Sequence, residues 1–235
     1  TLTSTTTQDT DNRHGKWIAN QALTLTASSI NNAYGLIQSA QEHIWLKTLL
    51  GNMNNSDGDI NAAQTITLHS LGLNNASGKI SGYNLLLDSH ALALNNRAGF
   101  IQSRGTLNIT SGALDNSGGK IFGSGQLDIT SAELNNRYGK ISGNSTLNIT
   151  SGALDNHGGK ILSSGQLDIT SAELNNRDGK ISANSTLNIT SGALDNRYGK
   201  ISGNSTLNIT SGALDNHGGF IKSDHALMID TQGQT

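Results

Sequence analysis

The chain has 235 residues, and its formal net charge of −2 gives no electrostatic drive toward nucleic acid or acidic membranes. It lacks cysteine, which excludes disulfide staples and thiolate metal sites, and no apolar run of about 18 residues offers a membrane span. Only 4% of the residues are aromatic and 14% charged, a polar balance that would suggest disorder if the apolar residues did not recur at fixed positions.

Residues 1–9 are Thr-rich and polar and form a lead-in segment. From Thr10 a repeat sets in, with Asn12, Gly15, Trp17, Leu23 and Leu25 as its fixed positions. Ile30, Asn32, Gly35, Ile37, Ile44 and Leu46 follow in the second unit, which runs on to Met53 and must therefore bulge. Met53, Asn55, Gly58, Ile60, Ile66 and Leu68 restore the pattern. Leu73, Asn75, Gly78, Ile80, Leu85 and Leu87 continue it as far as Leu94. Residues 10–93 are thus less regular coils, residues 94–229 are coils with a strict twenty-residue step, and 230–235 are an exit segment. The blocks 111–150 and 151–190 match so closely that they point to duplication within the gene.

Within each unit the hydrophobic period is two. Thr146-Leu-Asn-Ile-Thr150 alternates polar and apolar, which predicts a strand with one buried face. Two further short strands are predicted over Lys140–Ser142 and Ala153–Asp155, and no unit supplies the i, i+3, i+4, i+7 spacing of a helix. Three strands per fixed-length unit, separated by Gly, Asn and Ser turns, describe one rung of an all-β parallel β-helix, a β-solenoid of about eleven rungs of about 20 residues. At about 4.8 Å per rung the rod is on the order of 50 Å long. A single rung cannot bury enough apolar surface to stand alone, so folding is expected to be cooperative along the stack.

Stacking turns repeat positions into columns. Asn96, Asn116, Asn136, Asn156, Asn176, Asn196 and Asn216 form a structural ladder, each expected to bond its own turn and the amide of the next rung. Gly99, Gly119, Gly139, Gly159, Gly179, Gly199 and Gly219 follow three residues later and are expected to supply a turn conformation with φ > 0. Lys140, Lys160 and Lys180 lie in a basic column beside Arg97, Arg137, Arg177 and Arg197. That column is either a solvated face balanced by nearby acids or a binding stripe for an acidic polymer. Asp and Asn alternate at 115, 135, 155 and 175, keeping most like charges two rungs apart, about one Debye length at 0.1 M, with Asp195 and Asp215 as the exception.

Chemistry is sparse by comparison. His157 and His217 share a register but lie three rungs apart, too far to share a metal ion, and Glu133 and Glu173 are copies of one repeat position. No metal cluster, phosphate-binding loop or nucleophile motif is visible, and no cofactor is implied. Two irregular stretches remain as candidate binding regions: Gln38 to Asn52, with Glu42, His43 and Trp45, and Tyr83 to Leu94, with Asp88 and His90.

The units Gly112-Ala-Leu-Asp-Asn-Ser-Gly-Gly-Lys-Ile121 and Thr106-Leu-Asn-Ile-Thr110 resemble the haemagglutinin repeats of filamentous-haemagglutinin-type exoproteins. These are large proteins of bacterial two-partner secretion, and they include adhesins and contact-dependent growth-inhibition effectors. The resemblance covers about Thr10 to Ile229. It implies a right-handed parallel β-helix, export through an outer-membrane transporter partner, and display as a secreted protein at the bacterial cell surface. The leading expectation is a non-catalytic stalk that presents a distal binding or toxin domain. An adhesive segment that meets a receptor on a target cell is the alternative, through the early coils or the Lys/Arg stripe. A polysaccharide-active β-helix enzyme is more remote, because such enzymes need long loops and a unique acid or base cluster. Ice binding through Thr rows is weaker still, since Asp128 and Asp168 interrupt them.

Overall fold

The computed structural model describes residues 1–232, so positions 233–235 of the exit segment lie outside the described residues. Strands alone build it. They stack in parallel into sheets of seventeen and eleven strands, as a β-solenoid of about 11 turns. In the regular coils each turn contributes one four-residue strand, such as Lys140–Gly143, and, from Leu107 to Asp215, one strand of nine or ten residues, such as Leu147–Asp155. Register is residue upon residue: Leu127, Leu147, Leu167, Leu187 and Leu207 stack in one row, and Ile129 to Ile209 in another. These side chains, with Ile121 and Leu134 and their counterparts, point inward and form one continuous buried column. Leu2–Thr5, within the lead-in segment, pairs in the same register with Leu23–Thr26.

The three expected strands per coil are corrected to two in the regular part. Inward and outward residues alternate along Leu147–Ser151, then Gly152 and Ala153 both face solvent, and the alternation resumes at the buried Leu154. This is a bend, not a break. The ladder carries on past it, from Ser131↔Ser151 to Glu133↔Ala153. In the early coils the same stretches are separate strands, Leu23–Ala27 and Ile30–Asn31, then Ile44–Thr48 and Met53–Asn54. Chain length at the corner accounts for the difference. Leu23 to Ile30 spans seven residues, but the register partners Ile44 and Met53 are nine apart. Leu85 and Leu94 are likewise nine apart, where their partners Leu107 and Leu114 are seven. A ladder crosses the corner only where adjacent coils have equal lengths there.

Both irregular stretches thus contain the same event, two added residues at one corner. Each enlarged corner is tied by an inward hydroxyl: Thr48 Oγ1 donates to the Gly51 carbonyl at 2.6 Å, and Ser89 Oγ to the Leu92 carbonyl at 2.8 Å. Among the described residues no helix is long and apolar enough to cross a membrane.

Candidate functional site

The asparagine column is built from the turn outward. Each Asn follows the long strand with its side chain fully buried through most of the stack. Its Nδ2 donates to Oδ1 of the next coil's Asn, at 2.7 Å from Asn96 to Asn116 and from Asn116 to Asn136, and so on to Asn176 and Asn196. The same Nδ2 reaches the carbonyl of the Gly three residues on, as from Asn156 to Gly159. Most of the buried amides therefore have a partner on their own coil and on the next, while Asn136 and Asn176 donate twice to the next coil, to the Asn Oδ1 and a Lys carbonyl.

The glycine expectation is corrected. Gly99, Gly119, Gly139, Gly159, Gly179, Gly199 and Gly219 are not the left-handed residues of the turn. The residue before each of them is: Ala98, Gly118, Tyr138, Gly158, Asp178, Tyr198 and Gly218 have φ between 51° and 64°. Glycine is needed one position later because of close approach. A Cβ at Gly119 would run into the carbonyl oxygen of Asn96 in the preceding coil and the side-chain amide of Asn116. The glycine lets the buried amide ladder pass.

The outer columns differ in their electrostatics. Arg137 donates to Asp155 at 3.0 Å. Arg197 holds Asp195 at 2.6 Å and reaches Asp215 at 3.4 Å, so the one pair of adjacent like charges has a cation between them. The hydrogen-bonded Arg197 guanidinium holds the Asp195 carboxyl below its usual range, against the upward push of partial burial. Asn135 and Asn175 donate to Asp115 and Asp155 at 3.1 and 3.0 Å, so the Asp/Asn alternation supplies hydrogen bonds as well as spacing charges. Lys140, Lys160 and Lys180 are different. They stack in register with Lys120 and Lys200, and among the described residues no carboxylate lies within 4.0 Å of any of them. The expected balance by nearby acids holds for Arg97, Arg137 and Arg197 and fails for these lysines, and among the described residues Arg177 likewise has no carboxylate within 4.0 Å. Lys140 Nζ instead lies 5.0 Å from the centre of the Phe122 ring.

In the early coils, His43 and Trp45 come together in a groove of about 610 Å³, also lined by Thr24, Thr65, Thr67 and His69. Trp45 stands on an outward position between Thr24 and Thr67 in adjacent coils and is 50% exposed. His43 Nδ1 accepts from the Thr65 amide at 3.3 Å. Glu42 is not among the lining residues; its backbone amide donates to Ser39 Oγ at 3.2 Å, at the corner before the strand.

Sequence reasoning missed a second constellation on the same face. His69, Asp88 and His90 bring one ligand atom each within 4.8 Å of one another. Asp88 and His90 lie in a stretch that stood out as irregular, but His69 sits on a regular strand, Thr65–His69. The available signal was spacing, since His69 precedes Asp88 and His90 by about one coil.

The haemagglutinin-repeat family model matches five segments, residues 1–57, 51–92, 84–137, 123–178 and 162–234. No curated protein and no solved structure matches the chain.

Proposed function

This chain belongs to the haemagglutinin-repeat family, and from that membership we propose that it is a non-catalytic stalk segment of a large secreted exoprotein. It holds a distal binding or toxin domain away from the bacterial surface, and the exoprotein leaves the cell through an outer-membrane two-partner-secretion transporter. One observation carries this reading: an in-register apolar column and amide ladder run from the first coils to the last, so length can change by whole coils at constant cross-section. Repeat positions copied along the stack suit a uniform rod and do not gather a unique acid and base.

The half-exposed Trp45 in its groove, with the unpaired lysine column, supports an adhesive second reading, in which the segment itself meets a receptor on a target cell. Binding of the purified chain to bacterial and host cells, beside Trp45→Ser, separates the two. Trp45 is outward, so its replacement leaves the buried Ile44 and Leu46 in place. A plain stalk gives no saturable binding. Saturable binding that Trp45→Ser abolishes would establish the adhesive reading instead.

A further inference from the structure

We propose that His69, Asp88 and His90 form a binding site for a divalent transition-metal ion, with zinc as the best match to the ligand set. Two imidazoles and one carboxylate suit zinc and its neighbours, whereas calcium and magnesium require oxygen ligands.

The geometry is close to what the ion requires. His69 Nδ1 lies 3.4 Å from Asp88 Oδ2. Tetrahedral zinc with bonds of about 2.0–2.1 Å separates its ligand atoms by about 3.4 Å. This pair is therefore already at coordination spacing, and the 4.8 Å limit on the whole set leaves His90 about an ångström or so to close by side-chain rotation.

The supporting contacts orient the ligands. His69 and Asp88 are register partners on adjacent strands, so the sheet fixes their separation. Asp88 Oδ1 accepts from the His90 amide at 2.8 Å, which ties the start of the enlarged corner and leaves Oδ2 facing His69. The Nδ1 of His90 is 3.1 Å from the Ser70 carbonyl of the preceding coil. That carbonyl can only accept, so Nδ1 carries the proton and Nε2 presents a lone pair. A ring N–H held by a backbone carbonyl is the arrangement that orients a metal-ligating histidine. His90 and Ala91 are consecutive non-glycine residues at φ 50° and 63°, a left-handed conformation that the corner's hydrogen bonds must hold.

Among the described residues the constellation occurs once. In the column that holds His69 and Asp88, the neighbouring coils carry Lys47 and Thr110. The other enlarged corner, Leu49 to Asn52, places no metal-binding side chain. His69 and Asp88 are less than a third exposed and His90 is exposed, so a bound ion keeps a coordination position open to water or to a partner's side chain.

Titration calorimetry of the full chain with zinc chloride tests the site, beside His90→Ala and Asp88→Asn. Asp88→Asn keeps the Oδ1 that accepts from the His90 amide and removes only the charged ligand. His157→Ala is the control, far along the rod. The expected result is one saturable site that calcium does not displace, weakened at least about tenfold in both variants and unchanged in His157→Ala. Circular dichroism matching the parent would show that each variant keeps its β structure. No zinc binding by the parent chain, or an affinity equal to the parent's in His90→Ala or Asp88→Asn, would overturn the assignment.

Discussion

Asn156 sits in the middle of the amide ladder, giving a hydrogen bond to Asn176 and taking one from Asn136, each at 2.7 Å. Removing its side chain leaves a donor and an acceptor buried without partners. Asn156→Ala should therefore destabilise the chain by about 2–6 kcal/mol, at about 1–3 per unsatisfied group, read as a lower urea midpoint. Ala98 presents the opposite case. It is exposed and holds φ 51°, so Ala98→Gly should raise stability by about 0.5–1 kcal/mol. The next position of the turn also requires glycine, for a different reason: Gly139→Ala forces a methyl group into the Asn116 carbonyl and should cost about 1–3 kcal/mol or more. The asparagine and glycine columns were legible as repeats. What each glycine does was not, because the crowding comes from the coil below and the left-handed residue beside it is often Tyr, Asp or Ala.

Strands show how local length controls pairing. The two outward residues Gly152 and Ala153 bend the long strand without ending it, because each neighbour bends at the same place. Where Leu49 to Asn52 or Ser89 to Ala93 enlarges one coil, the ladder stops at the corner. Alternation alone shows where inward residues fall, and it cannot show whether the pairing survives the turn between them. The Arg197 bridge also belongs to this scale, since it ties two adjacent long strands through Asp195 and Asp215. The Asp195 carboxyl titrates below its unfolded value, so its contribution is full above about pH 4 and is lost as pH falls through the lowered value. Arg197→Gln should cost about 1 kcal/mol or less at pH 7, given the bridge's exposure, and the difference from the parent should be smaller at pH 3. Denaturant midpoints at the two pH values check this.

Across the molecule, the strict part of the repeat revealed coil number, parallel stacking and the buried rows, because a fixed step of twenty converts sequence position directly into register. The absence of that fixed step in the early coils hid the metal constellation. His69 meets Asp88 and His90 only after the register of two unequal coils is known, and the enlarged corner carries His90 back over Ser70. The groove at Trp45 was half visible: its residues stood in an irregular stretch, but Thr24, Thr67 and His69 come from the coils on either side.

Everything proposed for the stalk rests on its length being additive in coils. Removing residues 111–150 joins Thr110 to Ser151, which takes the place of Ser111 in the ladder, and so excises two coils without disturbing register. Small-angle scattering on the parent and shortened chains should give a maximum dimension smaller by about 10 Å, at about 4.8 Å per coil, with an unchanged cross-sectional radius. A changed cross-section, or a shortened chain that has lost its β structure, would contradict a rod built from interchangeable coils.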